Sequence, residues 1–120
     1  MPRNMSFMLT KDQVYKKEKT VTRRLGWKFL KPGDVVIACE KCQGLKKGET
    51  IRRIYPIRII GTEWIPLMDI DQDDCIREGF PNMSPWEFVG MFCREMNCTP
   101  STEVNRIEFE YLPRRSCYGF

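Results

Sequence analysis

The chain has 120 residues, 42% hydrophobic and 30% charged, which suits one globular domain and leaves no room for two independent cores. It contains no histidine, which excludes Ser-His and Cys-His nucleophile pairs, mixed His/Cys zinc sites and imidazole acid–base chemistry. The net charge of +4 is uneven: residues 1–62 carry fifteen Lys/Arg against five Asp/Glu, and residues 63–120 carry five against eleven. Either the basic half attracts phosphate or an acidic partner, or the halves meet in the fold and neutralise each other.

In chain order, Met5 to Met8 is predicted as a first short strand. Thr10 is expected to cap a helix over about Lys11 to Lys17, its hydroxyl accepting an orphan backbone N–H. Lys19 to Lys31 reads as a basic loop dotted with aromatics, closed by the turn Lys31-Pro32-Gly33-Asp34. Val35 to Cys39 follows as a buried strand. A loop tip near Leu45 to Glu49 leads into a β-branched strand, Ile51 to Ile60, in which Pro56 demands an edge position or a bulge. After a bend at Gly61, Glu63 to Leu67 is predicted to extend the sheet. Asp71 is expected to cap a helix ending at Glu78-Gly79, with Gly79 supplying a left-handed terminal residue. Ser84-Pro85-Trp86-Glu87 is a capping box with Pro at the first helical position, and Met83 and Phe88 are spaced as a hydrophobic staple. That helix should run to about Met96. Val104 to Leu112 alternates as a closing strand with Asn105, Ile107, Phe109 and Tyr111 on one face. The order β-α-β-β-β-α-α-β predicts an α+β domain with a mostly antiparallel curled sheet or incomplete barrel and grouped helices. One domain, 1–120, is expected, with its core at about 5–112 and a tail at 113–120.

No apolar run approaches the roughly 20 residues of a membrane-spanning helix. Met1 to Thr10 does not read as a secretory signal, so a cytoplasmic protein with reduced thiols is expected. The six cysteines include Cys39-Glu40-Lys41-Cys42, with zinc-knuckle spacing, to which Cys93 and Cys98 could add two ligands. The wider spacing of that second pair departs from a double C-x-x-C pattern, and no metal or cofactor is expected.

Four stretches in order resemble the ASCH domain, a family of PUA-like β-barrels: Lys19-Thr20-Val21-Thr22-Arg23-Arg24, which fits its K-T-x-T-x-R signature; Leu30-Lys31-Pro32-Gly33-Asp34-Val35; Arg77-Glu78-Gly79-Phe80 with the Ser84 cap; and Asn105 to Leu112. Arg23 to Leu30 is similar to small members from bacterial viruses and prophages. The resemblance implies a PUA-like open barrel with two to three peripheral helices and a cleft lined by the signature segment. It implies RNA or a nucleotide or nucleoside as partner. Some small bacterial members are amidohydrolases that deacylate N4-acetylcytidine with a Lys, a Thr and a Glu. These match Lys19, Thr22 and Glu78, with Asp74 as the alternative carboxylate.

The residues support this chemistry on physical grounds. Lys19 becomes a base if burial and the charges of Arg23 and Arg24 destabilise its ammonium, and it could then deprotonate Thr22 for attack on an amide carbonyl. Glu78 would protonate the leaving amine, and Thr20 would help hold the oxyanion. For binding alone, Arg23 and Arg24 would contact phosphate or a base edge, Trp27 or Phe29 would stack, and Lys28 and Lys31 would extend a phosphate track. Trp27, Phe29 and Leu30 can equally be core anchors. An adaptor that binds proteins through the basic face is a further reading.

Overall fold

The computed structural model describes residues 2–120. The chain opens with strand β1 (Asn4–Ser6), a 3-10 turn (Met8–Thr10) and helix α1 (Lys11–Tyr15). Strands β2 (Val21–Arg24), β3 (Val35–Cys39) and β4 (Arg53–Pro66) follow. A 3-10 turn (Leu67–Asp69), helices α2 (Gln72–Arg77) and α3 (Pro85–Met96) and strand β5 (Glu103–Tyr111) complete the fold. The strands form one sheet in the order β1-β3-β4-β5-β2. β1 runs parallel to β3 and the other pairings are antiparallel. The domain is therefore α+β with a mixed, mostly antiparallel sheet, and β1 and β2 are its open edges. The edges still communicate: Arg24 on β2 donates from Nη2 to the Ser6 carbonyl on β1 at 2.6 Å.

Local signals account for most element ends. Ser84 Oγ accepts the Glu87 N–H while Glu87 Oε1 accepts the Ser84 N–H, so the capping box forms as predicted. Met83 packs on the same apolar cluster as Phe88. Asp71 caps α2 by accepting the Asp74 N–H. Thr10 occupies the position before α1, but its buried side chain makes no capping bond and the helix ends at Tyr15, short of Lys17.

Three expectations change. The first strand lies one or two residues earlier, at Asn4–Ser6. Part of the expected signature loop, Val21–Arg24, is an edge strand paired with β5. The two strands expected around Gly61 are one strand, β4, whose register with β5 slips between Ile59 and Gly61. The bend is thus a bulge inside a continuous ladder. Pro56 sits in this central strand, paired with Ile37 of β3. Its carbonyl accepts the Leu112 N–H at 2.9 Å, just past the end of β5. The donor that Pro lacks therefore faces the place where the β5 ladder stops.

Two apolar clusters hold the domain. Met5, Phe7, Val14, Ile57, Ile107 and Phe109 belong to one, between sheet and α1, with Leu30 joining them from the loop after β2. Leu67, Cys75, Phe88, Val89, Phe92 and Val104 form the other, under α2 and α3. The candidate site lies where these clusters meet. Beyond β5 the tail is tethered by Arg114, whose Nε donates to the Ile54 carbonyl at 2.7 Å.

Candidate functional site

Lys19 lies just before β2, and its carbonyl accepts the Tyr111 hydroxyl at 2.6 Å. Its side chain runs to the end of α2, where Nζ donates to the Glu78 backbone carbonyl at 2.6 Å and to Glu78 Oε1 at 2.8 Å. That meeting depends on Gly79, which takes φ +97° directly after Glu78. A Cβ there would lie 3.0 Å from Gln13 Cγ, and Gln13 Nε2 donates to the Gly79 carbonyl at 3.1 Å. Only glycine satisfies both the dihedral and the approach of α1.

The carboxylate of Glu78 is shared. Arg23 donates from Nη1 to Glu78 Oε2 at 3.1 Å and from Nη2 to Asp74 Oδ2 at 2.6 Å. Arg106 then grips Asp74 with both ends of its guanidinium, Nε to Oδ2 at 2.6 Å and Nη2 to Oδ1 at 2.9 Å. Arg23 and Arg106 stand directly opposite each other on β2 and β5. Like charges in that register repel, and Asp74 neutralises the clash. The chain Lys19–Glu78–Arg23–Asp74–Arg106 is largely buried: the Lys19, Glu78 and Arg23 side chains retain 4%, 4% and 1% exposure.

Burial pushes the Lys19 amine below its usual range, the nearby charge of Glu78 opposes this, and Arg24 and Arg23 push it down further. The hydrogen bonds from Arg106, joined by Arg23, hold Asp74 down at about 2. A carboxyl held so low stays ionised and serves poorly as a proton donor at neutral pH. Glu78 carries Lys19 on one carboxylate oxygen and Arg23 on the other.

Above this network opens a cavity of about 300 Å³. Lys19, Thr22, Arg23, Arg24 and Glu78 line it together with Phe7, Phe80, Phe88, Met91 and Phe92. Phe80 and Phe88 meet edge to face at 5.8 Å between centroids, and the Lys19 ammonium lies 6.0 Å from the Phe80 centroid. Thr22 Oγ1 accepts from Arg24 Nε at 3.1 Å, which leaves its hydroxyl hydrogen free to point elsewhere. Lys19 and Thr22 share the cavity, but each side chain is engaged with a different partner, Glu78 and Arg24.

The sequence-predicted residues separate into two groups. Lys19, Thr22, Arg23, Arg24 and Glu78 converge. Thr20 is taken up by the backbone, its N–H bonding to the Arg77 carbonyl at 2.9 Å and its carbonyl accepting the Phe109 N–H at 3.0 Å. Lys28 and Lys31 are exposed and lie outside the cavity lining. Trp27 packs partly against the main core, Leu30 is buried, and Phe29 is 50% exposed. The possible four-thiol zinc set does not assemble. Cys39 neighbours Cys42 and Cys93 neighbours Cys98, but no three His, Cys, Asp or Glu side chains converge on a metal-sized position among the described residues. All six cysteines are free. Among the described residues, no helix is long and apolar enough to cross a membrane.

Arg106, Phe7 and the α3 residues Met91 and Phe92 were not singled out from the sequence. Arg106 sits in phase on the polar face of β5 with Glu108 and Glu110, so nothing local marks it, and its partner depends on the β2–β5 register. Phe7 and α3 reach the cavity only through the tertiary fold.

Among solved structures, the chain is similar to the crystal structure of an Enterococcus faecalis protein of the family DUF984. The TM-score is 0.67 at 18% identity, over 93% of this chain and 80% of that one. The likeness is one of fold. No protein-family model matches the chain, and no curated protein matches it.

Proposed function

We propose that this chain is an ASCH-like open barrel of the PUA-like type whose cavity binds a nucleobase, carried by a nucleoside, a nucleotide or RNA. The observation that carries this reading is the buried Lys19–Glu78 pair at the floor of an aromatic-walled cavity. Phe80, half-buried and backed edge to face by Phe88, offers its ring to a planar guest, while Lys19 and Arg24 present donors and Glu78 an acceptor to its polar rim. A cavity of about 300 Å³ is at the small end of ligand pockets and fits a nucleoside-sized guest. Calorimetric titration with cytidine tests it: saturable binding lost in Glu78→Gln supports the reading, and no heat from a folded sample counts against it.

A second reading is favoured by the convergence of Lys19, Thr22 and Glu78 on one cavity. Here the chain is an amidohydrolase of N4-acylated cytidine. Thr22 Oγ adds to the acyl carbonyl, its proton passing to a neutral Lys19, and the C–N bond breaks as Glu78 protonates the departing N4 amine. Water then hydrolyses the Thr22 ester to release the carboxylic acid. Release of cytidine from N4-acetylcytidine by the native chain, abolished in Lys19→Ala and Thr22→Ala, is expected. Binding without turnover would leave the recognition reading alone.

A further inference from the structure

Beside the main cavity lies a second hollow of about 320 Å³, walled by Arg3, Leu25, Trp27 and Phe29. Arg24 and Met96 line both spaces, so they adjoin across a single guanidinium. No carboxylate lines the second hollow.

The two arginines there differ from the other cations near the main cavity. Lys19, Arg23 and Arg106 each hold a carboxylate within ion-pair distance. Among the described residues, Arg24 and Arg3 hold none. Arg24 is fixed by neutral groups, the Ser6 carbonyl and the Thr22 hydroxyl, and its Cζ lies 4.8 Å from the centroid of Phe7. Those bonds use Nε and one Nη2 hydrogen, leaving Nη1 without a partner among the described residues. Arg3 lies over the Phe29 ring, 4.2 Å from its centroid. Arg24 is half-buried and its lost hydration is offset only in part by the nearby charge of Glu78, whereas Arg3 is exposed. Burial brings Arg24 down to about 10, still charged at neutral pH. Two guanidiniums without an ion-paired carboxylate among the described residues, facing one acid-free hollow, form a fork for a planar or tetrahedral anion.

We propose that Arg24 and Arg3 form a phosphate subsite adjoining the nucleobase cavity, so that the ligand is a nucleotide and not a free nucleoside. This inference rests on the nucleobase reading of the main cavity. With the base beside Lys19 and Glu78, the sugar passes Met96 and the phosphate reaches Arg24. A free mononucleotide and the phosphodiester of RNA present the same chemistry to this fork.

Calorimetric titration at low salt with cytidine, cytidine 5′- and 3′-monophosphate and a cytidine dinucleotide separates these cases. At least one monophosphate, or the dinucleotide, is expected to bind about tenfold more tightly than cytidine, with the gain shrinking as salt rises. Arg24→Gln and Arg3→Gln should each remove most of that gain while cytidine affinity holds in Arg3→Gln. If Arg24→Gln fails to fold, Arg3→Gln decides, since the Arg3 guanidinium is engaged only with an exposed ring. A dinucleotide that outbinds both monophosphates assigns the phosphate to RNA, and the reverse assigns it to a free nucleotide. Equal affinity for cytidine and every phosphorylated probe would overturn the subsite and leave the nucleobase reading standing. Failure of all four probes to bind would overturn both.

Discussion

The floor and the rim of the cavity are both rich in basic side chains, yet they handle charge in opposite ways. On the floor, Lys19, Arg23 and Arg106 are interleaved with Glu78 and Asp74, so each cation has an internal counter-ion. At the rim, Arg24 and Arg3 have, among the described residues, only carbonyl, hydroxyl and ring partners. A buried pair that is already neutralised holds elements together: here it ties β2, α2 and β5. A cation without a carboxylate is available to a ligand. Within the first half of the chain, Lys19 and Arg23 spend their charge on carboxylates inside the fold, whereas Arg24 and Arg3 hold no carboxylate among the described residues.

The largest expected effect is on the floor. Asp74→Ala leaves Arg23 and Arg106 opposed without their shared carboxylate and should cost about 3–5 kcal/mol in urea unfolding. Because the Asp74 pKa is lowered from 3.8 to about 2, its stabilising contribution is present above pH 3.8 and is lost as pH falls toward 2. The variant should lack that acid limb, and an unchanged limb would show that Asp74 is not the group responsible.

Lys19→Met comes next, at about 1.5–3 kcal/mol for lost charge-assisted hydrogen bonds. The folded pKa of Lys19 is lowered below 10.5, so between that value and 10.5 the unfolded chain binds more protons and stability rises with pH. The difference between native and variant unfolding curves should therefore widen as pH is raised toward 10.5. A constant difference would mean that the Lys19 pKa is the same in the two states.

Arg24→Gln should fall at the low end of the Lys19→Met range, about 1.5 kcal/mol, because its guanidinium donates to the neutral Ser6 carbonyl and Thr22 hydroxyl and to no carboxylate, while its effect on nucleotide affinity exceeds its effect on stability. The reverse pattern would place Arg24 with the structural cations and erase the distinction between floor and rim. Smallest of all, Lys28→Gln with Lys31→Gln should change stability by less than about 0.5 kcal/mol and leave cytidine binding intact. A large loss of affinity there would restore the continuous phosphate track suggested by the basic run.

Much of this architecture is legible locally. The Ser84 capping box, the Asp71 cap and the left-handed Gly79 depend on neighbours within a few residues, so their spacing alone identifies them. Lys19, Thr22 and Glu78 stood out through the resemblance of two short motifs, and the fold brings both motifs to one cavity. What escaped depends on long-range register. Arg23 meets Arg106 only because β2 pairs with β5, and neither strand reveals the other. Gly61 looks like a break between strands, whereas pairing with β5 before and after it keeps β4 continuous through a bulge. Lys28 looks like a ligand contact within a basic run, but the backbone turns at Trp27, φ +63°, and Lys28 is exposed to solvent.

The nucleobase proposal places the ligand in the cavity above Lys19 and Glu78. The most direct measurement is a titration of the isotopically labelled chain with cytidine, followed by backbone amide chemical shifts. The account predicts saturable shifts concentrated at Lys19, Thr22, Glu78 and Phe80, with Lys28 and Lys31 unmoved. Shifts confined to residues 27–31, or none at saturating cytidine, would contradict it.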